Sequence, residues 1–256
     1  MQRLKMLEHI KIVLVETSHP GNIGAAARAM KNMGLQHLRL VAPRQFPHEQ
    51  ATSRATGGAD VLAEAQCYPT LDAAVADTRL VLGTSARMRS LAWPTWDVRE
   101  AASHVAARCG LGQVPIAIVF GREQTGLTND ELCRCHALIE IPANPDYSSL
   151  NIASACQVIC YELRLASLAQ SADSFKQLPD SPAAKTEELL GLYAHFETIL
   201  YRLDFIHRTQ PRLLMQRIKR MLNRAQLEHK EVQMIRGMLS AVAKTLDKIP
   251  PGNGKD

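Results

Sequence analysis

The sequence predicts an α/β protein: a mostly parallel sheet with helices on both faces, followed by a small all-helical extension. Three observations carry that prediction. Apolar runs of strand length, HIKIVLV from His9, VPIAIVF from Val114 and ALIEI from Ala137, alternate with segments of helical periodicity. These runs are apolar nearly throughout, as strands covered on both faces must be. After Leu168 the composition turns small, polar and proline-containing (AQSADSFKQLPDSPAAK), and three amphipathic patterns follow.

Taken in order, residues 9–15 read as a buried strand rich in β-branched side chains. Pro20, Gly21 and Asn22 are turn residues, 23–33 is helix-prone, and Gly34 closes that helix. A second strand spans 38–41, and 42–60 is a polar, glycine-containing loop around a short helix. Further strands over 66–68 and 80–83 are separated by a helix over 71–76. GTSARMRSLAWPTWD is loop-like, with Trp93 and Trp96 around Pro94. A helix over 98–108 precedes the central strand, 114–120. In GREQTGLTNDEL, Thr128 caps a short helix and Glu131 takes the capping-box position. The last strand, 137–141, breaks at Pro142, and a loop containing Pro145 crosses to a hydroxyl cap at Ser148 or Ser149. The helix beyond repeats apolar residues at Ile152, Ala155, Cys156, Ile159, Cys160 and Leu163. After the linker come helices over 186–207, 211–224 and 228–248. In the second, Arg217, Arg220 and Arg224 share one face while Leu214, Ile218 and Leu222 line another. The expected division is a catalytic unit at 1–170, a linker at 171–184 and a basic helical unit at 185–256.

Composition narrows the class. Apolar residues make up 46% of the 256, ample for a core. No run approaches the roughly 18–20 apolar residues of a membrane span, so no membrane partner is expected. The opening MQRLKMLEHIKIVLVE runs straight into a strand without a small-residue cleavage site, unlike a signal peptide. Cys67, Cys109, Cys133, Cys135, Cys156 and Cys160 fit reduced thiols inside the cell, hence a cytoplasmic protein. Cys133, Cys135 and His136 invite a zinc reading, but a second ligand pair at the usual spacing is missing, so no metal is expected. Residues 1–174 hold 16 basic and 16 acidic side chains, residues 175–256 hold 14 and 9. A neutral body with a basic tail points to a polyanionic partner held by the tail. A solvated helical surface is the plainer alternative, and a surplus of five does not exclude it.

In parallel sheets ligands sit beyond the carboxyl ends of the strands, so the loops after Val15, Gly83, Phe120 and Ile141 matter most. The first of them, HPGNIG, is no dinucleotide fingerprint, and the chain has neither a phosphate-binding P-loop nor a nucleophile elbow. The loops present instead Asn22, Gly24 and Arg28; Thr84, Ser85, Ala86 and Arg87; Gly121, Arg122, Glu123 and Gly126; and Ser148, Ser149 and Asn151.

Asn-x-Gly-x-x-x-Arg in the first helix, VFGREQTGLTNDEL and IPANPDYSSLNIASACQVICYE, in that order, resemble the three signature motifs of the SPOUT, or α/β-knot, RNA methyltransferases. The fuller text, including LVLGTSARMRSLAWP, resembles the bacterial branch that methylates the ribose 2′-hydroxyl of nucleotide 32 in the tRNA anticodon loop. The resemblance is strong over residues 8–170 and looser beyond. It implies a deep trefoil knot in the last third of the catalytic unit and a homodimer with the knot region at its interface. It implies S-adenosylmethionine as methyl donor, held by Thr84, Ser85, Ala86, Gly121, Ile141, Ser148, Ser149 and Leu150. Arg28 is the expected catalytic residue: beside a 2′-oxygen losing its proton it steadies negative charge and grips the adjoining phosphate. As a guanidinium it stays protonated, so the proton acceptor is open among phosphate, water and Ser149. Asn22 and Asn151 join Ser149 in shaping the catalytic site, and Arg28, Arg87, Arg217, Arg220 and Arg224 are the expected RNA contacts. Blander readings stand beside these: Arg28 as a solvated helix residue, Asn22 as a turn former, Glu123 as an organiser of loop backbone, the tryptophans as packing. Two rival functions share the fold: a ribose methyltransferase of ribosomal RNA, and an RNA-binding protein without methyl transfer.

Overall fold

The computed structural model describes residues 6–85, 93–169, 181–206 and 211–248. Strands β1 (Ile10–Val15), β2 (His37–Val41), β3 (Gln66–Tyr68), β4 (Leu80–Thr84), β5 (Thr95–Asp97), β6 (Ile116–Phe120) and β7 (Ala137–Glu140) make one sheet. Their order is β3-β2-β1-β6-β4-β7-β5, and every pair is parallel. All five residues of β6 are buried. Its Ile, Val and Phe side chains each contribute roughly 1.5–3 kcal/mol.

Strand β5 corrects the sequence reading, which made TWD part of a loop. Three residues beside Pro94 are too few to show a period. They become a strand because Trp96 pairs with Ile139 at the open edge of β7.

Helices α1 (Pro20–Met33), α2 (Glu49–Ala55), α3 (Ala59–Ala63), α4 (Leu71–Val75), α5 (Val98–Gly110), α6 (Asn129–Leu132) and α7 (Ile152–Ala169) cover the sheet. Alternate residues of β1 divide between its two faces. Ile10, Ile12 and Leu14 pack into the core under α1, α5 and α7, and Val13 and Val15 into the core with α4 and α6. α1 starts at Pro20, three residues before the expected position, because Pro20 suits a first helical turn and His19 Nδ1 accepts from the Gly21 N–H at 3.2 Å. It ends at Gly34 in the left-handed region (φ 85°), as expected. The cap of α7 is another correction: Asn151 Oδ1 accepts from the Ala153 N–H at 2.9 Å, so neither Ser148 nor Ser149 holds that position. By length and composition α7 could cross a membrane, yet Cys156, Ile159, Cys160 and Leu163 bury one of its faces in the core.

The tail consists of α8 (Thr186–Arg202), α9 (Pro211–Ala225) and α10 (His229–Leu246), which share a small core of Leu189, Leu192, Tyr193, Leu222 and Val232. It is fastened to the body through polar groups. Asn223 donates to the carbonyls of Cys133 (3.0 Å) and Cys135 (3.3 Å) and accepts from the Tyr193 hydroxyl. The Thr186 N–H donates to the Thr78 carbonyl at 2.7 Å, and Arg79 donates to that of Ala183. Residues 181–184, polar enough to read as linker, are thus seated: the Ala184 N–H bonds the Leu227 carbonyl at 2.9 Å, and Ser181, Ala183 and Ala184 are buried.

Candidate active site

Four segments far apart in sequence meet at the carboxyl rim of the sheet. The ends of β4, β6 and β7 and the approach to α7 line one open cleft. Thr84, Ser85, Gly121, Ile141, Ser148, Ser149, Leu150 and Asn151 all belong to its wall. Ala86 and Arg87 lie outside the described residues. The sequence reading missed Gln124 and Thr125, and also Phe120, Ile139, Ile152 and Ala155, which give the cleft an apolar lining. The polar pair sits between two flagged residues, Arg122 and Gly126. The apolar group looked like ordinary core, and only the way the chain closes makes it a lining.

The loop after β6 is held closed. The N–H groups of Arg122 and Gly126 exchange bonds with each other's carbonyls (3.2 and 2.9 Å). A Cβ on Gly121 would overlap the backbone of Gly126 and Leu127, so only glycine lets the two chain segments approach this closely. The Arg122 guanidinium is clamped between Glu16 (Nε to Oε2, 3.0 Å) and Glu131 (3.0 and 3.1 Å). Those carboxylates raise its pKa further and leave its donors committed, so it braces the loop.

Beside it, Glu123 accepts from the Ser18 N–H (3.1 Å) and hydroxyl (3.1 Å), the His19 N–H (3.3 Å) and Asn22 Nδ2 (3.1 Å). Burial acts to raise its pKa. The hydrogen bonds from its own backbone, Asn22, Ser18 and His19 outweigh that and hold it below the usual carboxylate value. Glu123 thus anchors the first turn of α1 as a carboxylate. Asn22 then accepts from Asn151 Nδ2 at 3.0 Å, so one chain of hydrogen bonds ties the β6 loop, α1 and the cap of α7 together. Both readings of Asn22, turn former and site residue, meet in this contact.

Arg28 does not line the cleft. It is exposed on α1, six residues beyond Asn22, with no hydrogen bond or ion pair among the described residues. Arg217 and Arg224 are exposed on α9 and Arg220 is half-buried there, all away from the cleft wall. Trp93 is buried and Trp96 stacks on His104 with ring centroids 4.2 Å apart, so both pack within the body. His136 Nδ1 accepts from the Val81 N–H at 3.1 Å, and Cys133 and Cys135 are core residues. Among the described residues no three His, Cys, Asp or Glu side chains gather as a metal would need.

The wall suits a nucleoside-bearing sulfonium. Its apolar side chains match an adenine ring, its hydroxyls match ribose and amino-acid groups, and the backbone at Gly121 admits close approach. Among the described lining residues Glu123 is the one carboxylate and its oxygens are taken, so the cleft offers no free acid or imidazole as a base.

Residues 9–161 match the model of the SpoU rRNA Methylase family, and residues 187–250 that of the TrmJ C-terminal domain. The tRNA (cytidine/uridine-2′-O-)-methyltransferase TrmJ of Cronobacter sakazakii is 46% identical, over 96% of this chain and 100% of its own length. The crystal structure of TrmJ from Z. mobilis ZM4 superposes with a TM-score of 0.80 at 31% identity, covering 91% of this chain and 98% of that one. A probable methylase family protein from Haemophilus influenzae is 46% identical, with a TM-score of 0.62, over 94% of this chain and 98% of its own.

Proposed function

The chain belongs to the SpoU rRNA Methylase family, in its TrmJ branch, and on that premise we propose that it methylates the ribose 2′-hydroxyl of nucleotide 32 in the tRNA anticodon loop. It is an S-adenosylmethionine-dependent tRNA (cytidine/uridine-2′-O-)-methyltransferase. The observation that carries the reading is the single cleft into which residues 84–85, 121, 141 and 148–150 converge.

When bound, S-adenosylmethionine supplies a methyl carbon made electrophilic by sulfonium. Thr84, Ser85, Gly121, Ile141, Ser148, Ser149 and Leu150 would hold it, and the apolar wall would exclude water. Arg28 serves the substrate, which accounts for its place outside the donor cleft. Its guanidinium holds a backbone phosphate and steadies the charge growing on the 2′-oxygen. Asn22, fixed by Glu123 and Asn151, keeps α1 and therefore Arg28 in register with the cleft. The proton leaves through a hydroxyl such as Ser149, a substrate phosphate or water. Much of the acceleration comes from positioning, because the sulfonium already carries a good leaving group.

The order β4-β7-β5, with α7 against both α1 and α5, supports a knot in the last third of the catalytic unit. Tyr161, Leu165 and Leu168 form an exposed apolar stripe on α7 at i, i+4, i+7, which supports a homodimer built on that helix. Arg217, Arg220 and Arg224 on α9 contact tRNA phosphates, Arg87 adds a further RNA contact, and the enzyme works in the cytoplasm, where its substrate is. Incubation with labelled methyl donor, unmodified tRNA and ribosomal RNA, followed by mapping, tests the reading. Label on the ribose of nucleotide 32 is expected. Label only on ribosomal RNA, or none, overturns it.

A further inference from the structure

In the body, residues 6–169, seven of the ten described arginines are occupied. Arg39 pairs with Asp77, Arg99 with Glu162, Arg122 with Glu16 and Glu131, and Arg134 with Asp72. Arg79, Arg108 and Arg164 donate to carbonyl or amide oxygens. Three remain: Arg28, Arg44 and Arg54, all exposed and without a hydrogen bond or ion pair from the side chain among the described residues.

These three are neighbours, placed so by close backbone packing. α2 lies directly on α1 because Gly24 leaves no room for a Cβ against the Ala51 carbonyl. That contact carries Arg54 to the first turn of α1, its Cγ 3.7 Å from where a Cβ on Gly21 would stand. The chain then returns at Gly58, where a Cβ would meet the Arg28 Cα at 3.1 Å. Arg44 joins from the other side: its N–H donates to the Thr17 carbonyl at 3.3 Å, and its charge helps hold the Glu16 carboxyl below the usual value, after the larger effect of Arg122. Gly21 and Arg28 are about 10 Å apart along the α1 axis. Three cations with no hydrogen bond or ion pair from the side chain among the described residues therefore frame the α1 segment that Glu123 and Asn151 dock against the cleft.

We propose that Arg44 and Arg54 are substrate-binding residues that hold the RNA backbone adjoining the phosphate gripped by Arg28. The inference deepens the reading of Arg28 as the substrate arginine and rests on it. Guanidiniums without a side-chain partner around one helix of an otherwise charge-balanced body suit a polyanion, and phosphates are the anions that an RNA presents. Both residues contribute to affinity and orientation, and neither touches the donor.

The test measures binding of unmodified tRNA by the full-length chain as a function of salt, for Arg44→Gln, Arg54→Gln, the double variant and the matching lysine variants. Donor affinity is measured in parallel. The double glutamine variant is expected to bind tRNA about tenfold more weakly at moderate salt, with donor affinity unchanged. The slope of log K against log salt should fall by roughly 0.7–0.9 per lost contact. Lysine should restore most of the affinity, since a phosphate accepts a point charge. Unchanged affinity and slope overturn the proposal, as does a loss that lysine fails to restore and that donor affinity shares. Binding is read without turnover, so a failure of methyl transfer would sink the proposed reaction and leave this result legible.

Discussion

The body uses arginine chiefly as a brace, with Arg122, Arg134 and Arg39 each fixed to one or more carboxylates between elements. In α9 of the tail, Arg217, Arg220 and Arg224 have no such partners among the described residues. The cores differ too. The sheet buries whole strands, whereas the tail packs a handful of side chains and leaves Met221, Met234 and Met238 exposed. A reaction that depends on placing two reactants needs the first kind of structure, and capture of a long polyanion needs only the second. The trio Arg28, Arg44 and Arg54 is the body's exception, a patch of tail-like surface on the rigid scaffold.

The sharpest way to break this contrast is Arg28→Ala. Turnover should fall about a hundredfold or more, near 2.7 kcal/mol of barrier, while donor affinity stays within a few-fold. Near-normal turnover would return Arg28 to the ordinary solvated surface. Next comes Gly121→Ala, which forces a Cβ into the backbone of Gly126 and should cost about 1–3 kcal/mol. That loss should fall on donor binding, read by calorimetry as roughly five- to a hundredfold, and an unchanged dissociation constant would show the loop is not a rigid wall. Asn223→Ala probes the join between the two regions. It leaves the buried carbonyls of Cys133 and Cys135 without this donor, so denaturant unfolding should show a loss of about 1–3 kcal/mol with tRNA contacts untouched. A tail that simply hangs from a linker would show no change. The smallest effects belong to Arg217→Ala, Arg220→Ala and Arg224→Ala. Each should weaken tRNA binding a few-fold on every tRNA and lower the salt slope by about 0.9, with stability unaltered.

Much of the body was legible in the text. Strands such as IKIVLV and IAIVF announce burial by being apolar throughout, and the loops that follow parallel strands must emerge at one rim. The convergence of Thr84, Gly121, Ile141 and Ser149 was therefore a consequence of topology. What stayed hidden was pairing between distant residues. TWD became β5 only because β7 had an open edge, and Ser181, Ala183 and Ala184 became buried only because Arg79, Leu227 and Glu228 were there to receive them. The capping of α7 by Asn151 was masked by two serines that propensity ranks equally well.

By itself the sequence determined the layered fold, the family and the residues that the rim loops present, because periodicity, turn chemistry and three motifs in order are properties of short segments. Only the tertiary structure decided which of those residues are occupied. Glu123 is 101 positions from Asn22, and Asn151 is 129 from it, yet the three share one hydrogen-bonded chain that no local pattern encodes. An arginine reads the same in the text whether a carboxylate lies beside it or not. Folding supplies the partner, and so separates the arginines that brace the body from those left without a carboxylate.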